Sequence, residues 1–456
     1  MKRIFAFALF AMLVASPLIL MEQPVHADRR VPRIGPIQQV TDDPFGDNEI
    51  SIAINPLNPK NILVAFNDFS PANSVGWAFT LDGGKTWTVN EALPNLTTPT
   101  GGEWDFAADP SVDFDRFGNA YIGVLAYDAT GQGASGGVFV YRSRDFGRTV
   151  EGPFTVIRGV RLNRVHDHPL MKVDNSGGIN DGQLYTAWSQ FFGWGLKAIS
   201  VFSKCVDPAA TGAMVFTPPV VISDRHDAEI FDVSATGARD GSIYATFGGW
   251  KNPSIWNEQI IYVARSDDGG ASFQPTVKVA DIVPAPKFLP NSGWRSTEQP
   301  SVAVDNNTGR VYVAYGNYAS GDNDIYCQFS DDNGQTWSLP LRVNNDAFGN
   351  GKDQVFGWMT VAPNGRVDVV FYDRRDDPNN TLLHIYYAFS TDGGLSFTNV
   401  RVTDTPIDGN AQVPAGLSRP FLGDYIGIVS TEKTVRLGWT GNGTSNLAVF
   451  SAAVEY

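Results

Sequence analysis

Three of the five histidines fall in two short segments, RVHDHP (164–169) and DRHDAE (224–229). Residues two apart on extended backbone share a side. His166, His168 and His226 are therefore candidates for a divalent metal site at one mouth of the fold, or for a general base, because a neutral imidazole can ligate a metal or take a proton near neutral pH. Hydrogen-bonded structural histidines are the alternative. Four arginines stand out in a chain of formal charge −14: Arg295, Arg374, Arg375 and Arg419. A guanidinium fork matches a carboxylate bidentately, so Arg295, Arg374 and Arg419 could together hold an acidic sugar. Pairing with Asp373, Asp376, Asp377 or Asp424 is the competing fate.

Carboxylates make a third set. Asp47 with Glu49, Asp109, Asp167, Glu229, Glu298, Asp353 and Asp424 each stand at the entry to an alternating apolar stretch. They either cap backbone N–H groups or line a mouth suited to a cation or polyol. A second series follows the next stretch of each repeat: Asp68, Asp128, Gln190, Trp250, Asn317 with Tyr318, Asp373 and Asn442. Aromatic faces beside amides and carboxylates suit a sugar ring, which is apolar on its faces and polar at its edges. Trp104, Trp294 and Trp358 either join that surface or pack between repeats.

These groups are positioned by a repeat. Thr80, Ser143, Ser203, Ser266, Ser330, Ser390 and Ser451 lie 60 to 64 residues apart. Five of them head a common phrase: TLDGGKTW (80–87), SRDFGRTV (143–150), SDDGGASF (266–273), SDDNGQTW (330–337) and STDGGLSF (390–397). The third-position aspartate can close a turn by accepting backbone N–H bonds, and the fifth-position glycine supplies angles a Cβ would penalise. The terminal aromatic then packs beneath the hairpin. Each repeat also shows four short strands, with inner strands expected at 49–55, 110–114, 169–173, 230–234, 300–304, 355–361 and 425–430. The seventh repeat has three strands before Tyr456, and PIQQVTDD (36–43) reads as its missing fourth. This pattern predicts an all-β, seven-bladed β-propeller closed by N-terminal strand pairing with the last blade. A six-bladed ring is the alternative. Entries to inner strands and turns after second strands share one face; the repeated phrase occupies the other.

The phrase resembles the Asp-box, or BNR repeat, of sialidases and other secreted propellers. That resemblance implies that the boxes are structural and lie away from the active site. STEQPSVAVD (296–305) is similar to the sialidase segment whose glutamate assists the nucleophile, which nominates Glu298, and DYIGIV (424–429) nominates Tyr425 as nucleophile. Arg33-Ile34-Gly35 stands where the family has arginine followed by Ile-Pro, and Gly316-Asn317 where a further arginine is expected. With Asp68 as acid/base and Asp128, Trp250, Asp373 and Arg375 beside the substrate, the reading is a sialidase-like glycosidase acting on an acidic glycan. A neutral phenol avoids repulsion by the substrate carboxylate. A polysaccharide lyase using the histidines on a uronate, and a propeller that binds a glycan or protein without cleaving it, stand beside it.

Residues 1–27 read as an export signal, with Lys2 and Arg3, an apolar run from Ile4 to Leu20 and Val25-His26-Ala27 at the cut. One domain, 28–456, is expected outside the cytoplasm, secreted or periplasmic. The acidity argues against nucleic acid as a partner, no later apolar run has membrane-spanning length, and a monomer is expected. No cofactor is required beyond a metal at the histidines. Cys205 and Cys327 sit on equivalent strands of non-adjacent repeats, so two buried free thiols are expected.

Overall fold

The computed structural model describes residues 31–71, 74–97, 104–128, 135–158, 164–192, 197–209, 211–223, 228–250, 258–297 and 299–456. The expected signal segment and His226 lie outside them, as does Glu298. The unit described spans 31–456, and among its described residues there is no helix. Accordingly, no helix there is long and apolar enough to cross a membrane.

Seven small antiparallel sheets form a seven-bladed β-propeller, one sheet per repeat. Blade 1 is Asp47–Ile54, Ile62–Asp68, Ser74–Thr80 and Thr88–Asn90. The inner strands of blades 2 to 7 are Phe106–Phe114, Arg164–Val173, Ala228–Gly237, Ser301–Val304, Gln354–Val361 and Gly427–Ser430. Val, Ile, Ala and aromatic residues alternate along the strands and meet their counterparts from the next blade. Trp188, Trp294 and Trp439 are wholly enclosed in this way. Trp104 is buried among residues of blades 1 and 2, and Trp358 packs on the cluster between blades 6 and 7. All three tryptophans set aside for a binding surface therefore serve packing instead.

The ring closes where the repeat count requires it. In blade 7, Leu447–Glu455 pairs with Arg33–Ile34 and again with Gln38–Gln39. Gly35 N–H donates to Ala453 O at 2.8 Å, and Val40 N–H to Val449 O at 2.7 Å. The closing edge thus begins earlier than 36–43. Arg33, paired with Glu455 at 3.2 Å, belongs to the edge rather than to a mouth. Ser451, the seventh box serine, faces Gln38 in this ladder.

The five boxes share one hydrogen-bond plan. In the first, the Thr80 hydroxyl donates to Asp82 Oδ1 at 2.7 Å while accepting the Gly84 N–H at 3.1 Å. Asp82 Oδ1 accepts the Thr86 N–H at 3.0 Å, and Oδ2 accepts its hydroxyl at 2.7 Å. Asp145, Asp268, Asp332 and Asp392 repeat it. Gly84, Gly147, Gly270, Gly334 and Gly394 all take φ between 82° and 91°, a left-handed region where a side chain would strain the turn. In the third repeat the Ser203 hydroxyl instead donates to Thr217 O at 2.7 Å, anchoring the longer loop. The box aspartates are spent on turns.

That plan has a pH consequence. Hydroxyl and then backbone donors from Ser272 and Thr336 hold Asp268 and Asp332 down at about 2. Asp82 is lowered by the same donors of Thr86. A carboxylate whose folded pKa is depressed stabilises the fold above its unfolded value, near 4, and loses that contribution as pH falls toward the folded value. Thermal melts taken from about pH 5 downward should show Tm falling between about pH 4 and pH 2. Replacing Asp268 and Asp332 by asparagine should flatten that limb.

A candidate active site at the channel mouth

Every inner strand begins earlier than its alternation suggests, except in blades 5 and 7, because a bulge interrupts it. Register slips between Asn48 and Ser51, Ala108 and Ser111, Asp167 and Leu170, and Val355 and Trp358. At each slip one non-glycine residue is left-handed: Glu49, Asp109, His168 and Phe356, with φ from 48° to 58°. Counting back two residues from the first regular pair of the shorter inner strands gives Gln299 in blade 5 and Tyr425 in blade 7. Six blades thus offer an equivalent seat, left-handed in four of them. Strained backbone of this kind persists where the surroundings over-determine it and is frequent at functional sites.

The seats of blades 1, 2, 3 and 7 meet. His168 and Tyr425 belong to blades separated by two others, yet their rings stack with centroids 4.7 Å apart, so they face each other across the channel. The Tyr425 hydroxyl donates to the Pro110 carbonyl at 3.5 Å. His168 N–H donates to Asp109 Oδ2 at 3.1 Å. Asn67 receives the Asp109 N–H at 2.9 Å and donates to Glu49 Oε2 at 2.5 Å. The Glu49 and Asp109 carboxyls bond to one another. Burial raises both above the usual carboxylate range, so the pair together holds a proton. Beside them Arg295 grips Asp424 through two bonds, one of 2.8 Å to Oδ1, and lies over the Phe421 ring. Phe69 meets Phe106 and Phe421 edge-to-face, and Phe106 meets Tyr127 at an interplanar angle of 34°, so the four rings form an aromatic rim.

Several expected partners are elsewhere. The three-arginine clamp does not assemble. Arg374 is wholly buried, donating to Pro290 O and Asn380 O at 3.1 and 3.0 Å and to Ser292 Oγ. Arg375 is paired with buried Asp373 at 2.7 Å, and burial raises that carboxyl to about 6. Arg419 is exposed, its guanidinium 5.2 Å from the Phe288 ring centre. Arg295 alone reaches the mouth. The two-apart argument for the histidines also fails, because the left-handed turn at His168 breaks the alternation. His166 Nδ1 instead accepts the indole N–H of buried Trp188 at 2.9 Å. Asp68 faces Asp43 and Asp47 rather than Tyr425. Asp128 and Trp250 end the second strands of blades 2 and 4, both half-buried. Cys205 and Cys327 are buried free thiols, as expected. Glu49 and Asp109 were visible in the sequence only as two members of an acidic series; their contact needed the bulge.

The five box turns and the seven sheets are on the page, and a BNR/Asp-box repeat model matches residues 328–339. The chain is a seven-bladed β-propeller whose turns include five of the Asp-box type. A sialidase of Micromonospora viridifaciens is 28% identical over 193 residues, 41% of this chain. Those residues span only 27% of that relative's length. Among solved structures, an α-L-arabinofuranosidase of Fusarium graminearum superposes with a TM-score of 0.50 at 11% identity, covering 92% of this chain and 98% of that one. An ulvan lyase, a polysaccharide lyase, gives 0.52 at 12% identity, covering 92% and 96%. At such identities the likeness is one of fold.

Proposed function

We propose that the propeller is a carbohydrate-active enzyme of the cell exterior that hydrolyses glycosidic bonds at this mouth. What supports the reading is the contact between the carboxyls of buried Glu49 and half-buried Asp109, an arrangement that favours a retained proton in the same mouth as a phenol, Tyr425. A general acid must hold its proton at working pH, and burial beside a second carboxyl is how a protein arranges this. Asp109 protonates the departing glycosidic oxygen. Tyr425 is the oxygen nucleophile, and a carboxylate of the entry series receives the phenolic proton. Water then releases the sugar from the tyrosine. The aromatic rim supplies stacking faces.

The charge in the mouth bears on the substrate. Arg295 is committed to Asp424, and the other three arginines are remote, so among the described residues little remains to neutralise a sugar carboxylate. A neutral glycan fits this balance better than an acidic one. The relatives named above, a sialidase and an arabinofuranosidase, act on glycans, which supports the substrate class. The apolar segment at residues 4–20 supports export.

The ring contact between His168 and Tyr425 favours a second reading, a lyase in which the imidazole takes a proton next to a uronate carboxylate. One experiment separates the two. Purified protein is incubated with neutral and acidic oligosaccharides while new reducing ends and ultraviolet absorbance are followed. Reducing ends without absorbance are expected. Absorbance with them means β-elimination, and binding without either product leaves a recognition module.

A further inference from the structure

A second cluster lies apart from this site, where the closing segment meets blade 1. Asp43, Asp47 and Asp68 each place a carboxylate oxygen within 4.8 Å of the others. Two of them are held by their own turns. Asp43 Oδ1 accepts the N–H groups of Phe45 and Gly46 at 2.6 and 3.1 Å, and Asp68 Oδ1 accepts that of Ser70 at 2.7 Å. Their other oxygens, together with both oxygens of Asp47, are buried and accept no hydrogen bond of good geometry, though Thr41 and Asp43 stand close enough to Asp47 to interact with it. Asp47 is 0% exposed. Thr41 and Asp43 lie beside it, and the charged groups that act on it, Asp43 and Asp68, are both acidic. Glu91 adds a fourth carboxyl next to Asp68. No lysine or arginine forms an ion pair with Asp43, Asp47 or Asp68 among the described residues.

Four buried, unsatisfied carboxylate oxygens facing one another are costly unless something positive stands among them. The donor set is all oxygen, with no imidazole or thiolate, which selects a hard cation over zinc or copper. Carboxylates carried on a loop, an inner strand and a second strand suit the irregular coordination of calcium better than the strict octahedron of magnesium. We propose that Asp43, Asp47 and Asp68 bind one calcium ion that clamps the closing segment onto blade 1. The ion would tie the segment that completes blade 7 to the inner and second strands of the next blade, so its effect falls on ring closure rather than on the chemistry at Tyr425.

The test uses the full chain, stripped with a chelator and then titrated with calcium chloride. Calorimetry should find about one site per chain, and Tm should rise by several degrees at saturating calcium, because a ligand that binds only the folded state stabilises it. Asp47→Asn, which removes the charge but keeps the shape, should fold with an unchanged or higher Tm in chelator and show no calcium response. Asp68→Asn provides a second variant with the same expectation. The proposal is overturned if calcium leaves Tm unchanged, if Asp47→Asn retains the full shift, or if magnesium produces an equal one.

Discussion

Asp109→Asn and Tyr425→Phe should each lower kcat/KM for the cleaved glycan by about a hundredfold to ten-thousandfold, the range for losing a positioned proton donor or nucleophile. The two losses arise differently. Asparagine cannot release a proton, so the leaving oxygen departs unprotonated, and a substrate with an activated leaving group should recover most of the rate. Phenylalanine removes the atom that attacks, and no leaving group should rescue it. Neither change should unfold the ring. Tyr425→Phe keeps the ring that stacks on His168, and the amide of asparagine can still donate to Glu49. Measuring kcat/KM on two leaving groups alongside Tm checks both claims. Full activity of Tyr425→Phe with unaltered Tm would remove the tyrosine from the mechanism.

A chain that starts at Asp42 should lose the ring's closure. It forfeits the ladder on Leu447–Glu455, the bond from Val449 N–H to the Thr41 hydroxyl at 3.0 Å, and buried Val40. With roughly 1 kcal/mol net for each of the ladder bonds and about 2 kcal/mol for the valine, a loss on the order of 5 kcal/mol or more is expected. The larger consequence is an open edge on blade 7, which presents unpaired N–H and C=O groups to other molecules. Urea unfolding should move to lower midpoint, and gel filtration should show association that the longer chain lacks. A synthetic peptide of residues 31–41 should restore the monomer if the edge is the cause. Equal midpoints for the two chains would show that closure rests elsewhere.

The blade count was legible because it depends on local chemistry repeated at a fixed interval. An aspartate that closes a turn and a glycine that permits it sit within five residues of each other, and alternation marks the strands between boxes. The closing strand was legible by subtraction, since the last repeat lacked one. The mouth was not. Glu49 and Asp109 come from strands sixty residues apart, and His168 and Tyr425 from blades with two others between them. Their meeting depends on a bulge that reverses which way a side chain points, and alternation in the sequence carries no mark of it. The arginines misled for a related reason. Equivalent positions in neighbouring repeats share a face of the ring, yet Arg374 is drawn into the loop carrying Pro290 and Ser292, whose path no periodicity describes.

The recurring seat, left-handed in four blades, separates what the ring is from what its channel contains. Glutamate, aspartate, histidine, glutamine, phenylalanine and tyrosine occupy the same place in six blades, while the strands on either side keep their pairing. Blade architecture is therefore nearly indifferent to the residue standing there. A lineage could exchange these few side chains and acquire a different reactivity without rebuilding its walls, and a library randomised at those positions would search chemistry on a scaffold already paid for.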